Sequence, residues 1–121
     1  MDTFKNSGNK LDSSFSIEIE DLKEEKKNAI KRLKALQNLT QNPDFIYLIK
    51  EEFFIKEAAN AVKIVDSDNA YRNEKLKLMN DAKIIAISGL QRWFNNIIIA
   101  GQNAPSELEE LEKIEAEEES N

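Results

Sequence analysis

Apolar residues from Ser16 onward recur at helical spacing. Leu22, Ala29, Ile30, Leu33 and Leu36 fall three, four or seven positions apart, which predicts an amphipathic helix over 17–39. Gln41-Asn42-Pro43-Asp44 is the sharpest break, because Asn caps a helix, Pro suits its first turn and Asp favours the positive end of the helix dipole. A second helix is predicted over 43–65. Its apolar positions, among them Phe45, Ile46, Leu48, Ile49, Phe53, Phe54, Ile55, Ala58, Val62 and Val65, cover more than half of the circumference. A helix patterned this way needs cover on two sides. After the polar turn Asp66-Ser67-Asp68-Asn69, the longest helix is predicted over 69–100. Tyr71, Leu78, Met79, Ala82, Ile85, Ala86, Trp93, Ile97 and Ala100 trace one stripe of it, and Ile87, Leu90, Phe94 and Ile98 widen that stripe.

Gly101 stands where a left-handed helix end is expected, and Ser106 with Glu109 has capping-box spacing. A short fourth helix over 106–119 is therefore predicted. Residues 1–15, polar and aperiodic, read as a flexible arm, with Phe4, Leu11 and Phe15 as the features of a docking peptide. The expectation is an all-α fold: an antiparallel helical hairpin or small bundle of three main helices spanning 16–101, plus an acidic C-terminal helix.

Composition narrows the class. The chain has 121 residues, enough for one modest core, with three Gly and two Pro, too little punctuation for a β architecture. Cys and His are both absent, which removes disulfides, thiolate metal sites and the commonest general base. Glu51, Glu52 and Glu57 are the nearest approach to a carboxylate cluster, but neighbours at i and i+1 on a helix point apart. No phosphate-binding loop, calcium loop or nucleophile motif occurs. No catalytic, cofactor or metal residue is expected, and no small-molecule ligand. The first residues lack a basic and then apolar leader, and no apolar run approaches the ~20 residues of a membrane span. An intracellular protein away from membranes is expected.

Charge is segregated. The first helix carries Lys23, Lys26, Lys27, Lys31, Arg32 and Lys34, while the tail holds eight Glu from Glu107 to Glu119 against the single Lys113. The net charge of the whole chain is −6, so its acidity is local to the tail. Lys26, Lys27, Lys31, Arg32 and Lys34 are expected to meet Glu107, Glu109, Glu110 and Glu112 in the same chain or a neighbouring copy. The basic stripe also has the footprint of a phosphate-binding surface, although it lacks interleaved aromatics. The acidic tail has three readings: a solubilising end, a latch onto a basic partner, or a decoy for a nucleic-acid site. Phe53, Phe54, Trp93, Phe94 and Ile98 are the expected protein–protein interface, because apolar surface beyond what a small core absorbs drives association.

Asn42-Pro43-Asp44-Phe45 leading into Ile49-Lys50-Glu51 and residues 53–59, then Ile87-Ser88-Gly89-Leu90 before Phe94 and Ile98, is similar to small helical proteins encoded among the structural genes of tailed bacteriophages. The resemblance covers about residues 35–110 and brings no functional residue with it. It implies a virion or morphogenesis component of the head, neck or packaging region, in the virion or the bacterial cytoplasm, binding other assembly proteins or itself. Two alternatives stand beside it. One is a nucleic-acid-associated factor, such as a small terminase-like packaging subunit or a helical regulator. The other is an inhibitor of a host protein that uses the acidic tail.

Overall fold

The computed structural model describes residues 2–68 and 72–120, with side chains from residue 14 onward. The side chains of Phe4 and Leu11, and all of Asn69 and Tyr71, lie outside the described residues. The described chain is helical, and it contains no strand. Helix α1 runs Asp2–Leu39, α2 is the single turn Pro43–Phe45, a π-helical stretch follows over Ile46–Glu57, α3 runs Ala58–Val65 and α4 runs Glu74–Ser120. None of these helices is long and apolar enough to cross a membrane.

The first turn after the break forms as its sequence dictates. The Asn42 side-chain oxygen accepts from the backbone N–H of Asp44 at 2.9 Å and of Phe45 at 3.3 Å, with Pro43 opening the helix. The winding then widens. The half-buried positions Phe45, Ile49, Phe53, Glu57 and buried Ala61 recur every four residues, a spacing that drifts by about 40° per step on an ordinary α-helix. The i→i+5 bonding of a π-helix reduces that drift and keeps the column on one side. Such turns are rare and gather near functional sites.

Two boundaries differ from expectation. The backbone expected to be an arm over 1–15 is helical from Asp2 and continuous with α1. It holds no proline, and extending an existing helix avoids the cost of nucleation. The last helix starts at Glu74 because the Asn73 side chain accepts from the Leu76 N–H at 3.1 Å, and it does not stop at Gly101.

The separate fourth helix is thereby corrected: the acidic segment is the end of α4, which passes through Pro105. No glycine among the described residues has a positive φ, so Gly101 does not end a helix. It is buried, and a Cβ placed there would collide with the Leu33 side chain, 2.7 Å from Cδ2 and 3.0 Å from Cγ. Its lack of a side chain serves close approach. Ser106 forms no capping box either. Its hydroxyl donates back to the Asn103 carbonyl at 3.1 Å, as in a helix interior, because a helix that continues leaves no free N–H groups there to cap.

The chain divides into two compact units. One holds residues up to Lys34 together with those from Ile98 onward; the other holds Ala35–Ile97. In the first, Ile19, Ala29, Gly101 and Ala104 are buried, mostly small residues that let backbones come together. In the second, Leu36, Ala61, Ile87 and Ile97 are buried with one polar residue, Asn80. The Asn80 amide N–H donates to the Ala61 carbonyl at 3.0 Å, tying α4 to α3, while its side-chain oxygen has no partner.

Candidate protein–protein interface

Four of the five expected interface residues lie in the second unit and join in one chain of rings. Phe94 on α4 is its centre, with ring centroids 5.9 Å from Phe45, 6.0 Å from Phe54 and 5.7 Å from Trp93. Phe53 continues the chain at 5.8 Å from Phe54. The Phe54–Phe94 pair is close to edge-on at 70°, the arrangement in which a positive ring edge meets a negative face. Phe94, Phe54, Phe53 and Phe45 are half-buried, whereas Trp93 is more than half exposed. Phe94 therefore clamps the π stretch to α4 inside its own unit, and Trp93 is the ring that faces outward. Ile98 belongs to the other unit and is half-buried there.

Phe45 was legible as an apolar position and not as part of this cluster, since nothing local shows that its ring meets one 49 residues later. The larger surprise is on α4. Of the two apolar faces, the unit buries Ile87 and Asn80 and half-buries Leu90 and Phe94, so Leu78, Met79, Ala82, Ile85, Ala86 and Trp93 are left outside. Tyr47, Leu48, Ile55 and Val62 add further exposed apolar surface on the π stretch and α3.

The charged contacts form only where chain direction allows. Within the first unit Lys26 pairs with Glu107, and Lys23 donates to Glu115 at 3.1 Å. With Leu33 against Gly101, these pairings show that residue numbers rise along α1 as they fall along α4. Lys31, Arg32 and Lys34 consequently lie level with the uncharged run Ala100-Gly101-Gln102-Asn103 and, among the described residues, pair with no carboxylate of the tail. Arg32 bonds Glu25 on its own helix at 3.3 Å, and Glu109 pairs locally with Lys113 at 3.8 Å. Among the described residues Lys27, Lys31 and Lys34 are exposed and make no ion pair, and Glu110 and Glu112 are exposed as well. Register is held by Lys23 and Lys26 instead of the stripe from Lys26 to Lys34. The Lys23 side chain is only 13% exposed, and the hydrogen bond it donates to Glu115 holds its ammonium above the usual lysine range.

In the second unit Lys83 pairs with Glu57 at 2.8 Å, joining α4 to the end of the π stretch. Lys56 donates to Glu52 at 2.8 Å, a bond that lowers the Glu52 carboxyl and raises the Lys56 ammonium from their ordinary values. Glu51 is exposed. Glu52 and Glu57 are thus each paired with a single lysine. Among the described residues no group of carboxylates is arranged to hold a metal ion. An open cleft of about 590 Å³ is lined by Ile64, Val65, Arg72, Glu74, Lys77, Asn80 and Asp81.

The surface this unit presents is therefore that of an all-helical protein with apolar faces left open. No protein-family model matches the chain, no curated protein matches it, and no solved structure matches it.

Proposed function

We propose that this chain is a non-catalytic structural or assembly protein, an antiparallel helical hairpin or small bundle that works by offering apolar helix faces to other protein surfaces. The single observation that carries the reading is the exposure of large apolar side chains on ordered helices: Leu48, Ile55, Val62, Leu78, Met79, Ile85 and Trp93 are each more than half exposed. Magnitude supports it. Surface of this kind costs about 25 cal/mol per Å² while it stays in water, so covering it favours association. The resemblance carried by residues 42–59 and 87–98 supports a bacteriophage virion or morphogenesis setting, with other assembly proteins as partners.

The test is native mass by light scattering behind size exclusion, at low and high salt, with absorbance read for nucleic acid. A mass well above 13.9 kDa without nucleic acid is the expected result. A monomer that captures no assembly protein expressed alongside it would sink the reading.

A second reading has its own observation, the unpaired Lys27, Lys31 and Lys34, spaced four and three apart along α1. That face suits phosphate contacts in a nucleic-acid-associated factor. Salt-dependent DNA binding that disappears when Lys27, Lys31 and Lys34 are neutralised would favour it over the first.

A further inference from the structure

The outward face of α4 is an ordered apolar surface of the second unit. Leu78 is 61% exposed, Met79 62%, Ile85 69% and Trp93 56%, with exposed Ala82 and Ala86 between them. Gly89 lies on the same stripe, and a Cβ added there would meet nothing within 4 Å. No contact inside the chain therefore requires a glycine at this position, although glycine weakens a helix interior. The stripe from Leu78 to Trp93 extends about 22 Å along the helix.

Its side-chain sizes are self-complementary when the direction is reversed. Centred between Ile85 and Ala86, an antiparallel copy sets Leu78 against Trp93, Ala82 against Gly89, and Ile85 against Ala86. Large side chains close the two ends, and small ones let the backbones approach on either side of the centre. Lys75 then falls opposite Asn96, and Arg92 opposite Met79, so no like charges meet. A parallel pairing does the reverse: each residue faces its own copy, which stacks Trp93 on Trp93, leaves gaps at Ala82 and Gly89, and confronts Lys75 with Lys75. Aromatic side chains present roughly 150–250 Å² when open, and Leu, Ile and Met fall toward the lower end of that range. At the observed exposures the stripe thus offers roughly 600 Å² per copy. Complete burial of both stripes would cover about 1,200 Å², the lower bound of a specific interface.

We propose that this face of α4 is a homodimer interface, in which a second copy of the chain packs antiparallel across a two-fold axis passing between Ile85 and Ala86. The proposal rests on the assembly reading and gives it a first partner. An isologous contact of this kind uses one patch twice, so it closes without propagating and leaves the π stretch and α3 surface free for other proteins.

The test uses the full chain, which contains no cysteine of its own. Light scattering should give twice 13.9 kDa at high micromolar concentration. Ala86→Glu, at an exposed position, should weaken the dimer about tenfold or more by facing like charges across the axis, while circular dichroism stays that of the parent. Ala86→Cys should oxidise to a covalent dimer, because it lies beside its own copy. Leu78→Cys should not, since two copies lie about 22 Å apart and a disulfide needs Cα atoms within about 7 Å. A parent chain that remains monomeric overturns the proposal. So does self-linkage of Leu78→Cys, which would mean parallel packing. An oligomer insensitive to Ala86→Glu would overturn this face while leaving the assembly reading standing.

Discussion

Alanine in place of Gly101 and alanine in place of Gly89 should act in opposite directions. Both glycines lie inside α4, so each substitution removes a helix penalty of about 1 kcal/mol. At Gly89 the new methyl group meets nothing within 4 Å, and that gain stands alone. At Gly101 the methyl group would enter the space of Leu33, 2.7 Å from Cδ2 and 3.0 Å from Cγ, and closest of all to its Cβ. A rotamer change moves Cδ2, but Cβ is tied to the backbone of α1, so the two helix segments must part. Overpacking of this kind costs about 1–3 kcal/mol. Against the propensity gain, the net loss for Gly101→Ala is about 1 kcal/mol, and the two variants should differ by about 2 kcal/mol. For a chain of this length each kcal/mol moves Tm by roughly 3–6 °C. Thermal melts followed by circular dichroism should thus separate the variants by roughly 6–12 °C. Both belong in an Ala86→Glu background, so that association does not contribute. Leu33→Ala should relieve Gly101→Ala, giving a coupling energy in a double-mutant cycle. If Gly101→Ala raises Tm as much as Gly89→Ala does, the close approach of Gly101 to Leu33 is refuted.

Pro105 lacks the N–H that would reach the Gly101 carbonyl, so Pro105→Ala should stabilise the chain by up to about 3 kcal/mol, read as a higher urea midpoint. Asn42→Ala removes an acceptor that serves two backbone N–H groups and should lower stability by about 1 kcal/mol in the same titration. Phe94→Ala should cost about 2–3 kcal/mol because three rings pack on it, and Trp93→Ala less than about 1 kcal/mol in the monomer. The ammonium of Lys23 is held above its ordinary value of 10.5 by Glu115, so its contribution is full below that pH and is lost as pH rises through the raised value. Glu52 is held below 4.5 by Lys56, so its contribution is full above that pH and fades as acid titrates it through the lowered value. Melts across pH should show an alkaline loss that Lys23→Met reduces, Lys56 keeping its own share, and an acid loss that Lys56→Met reduces.

Signals confined to a few neighbouring residues were legible without coordinates. Asn42-Pro43-Asp44 states its own cap, because donor and acceptor are two or three residues apart, and the apolar spacing with scarce Gly and Pro establishes an all-helical chain. Charge segregation between α1 and the tail was equally plain. Which lysines find a glutamate was not, since that depends on the antiparallel level at which Leu33 meets Gly101, and among the described residues this leaves Lys23 and Lys26 paired with the tail. Gly101 and Pro105 carry the local marks of a helix end, yet packing against α1 carries the helix through them; tertiary contact outweighs propensities of a few kcal/mol. The same holds for α4, where two faces are apolar and periodicity alone treats them alike. Only the positions of α3, with Ala61 against Asn80, and of α2 and the π stretch, with Phe45 and Phe54 against Phe94, decide which face is covered and which is left for a partner.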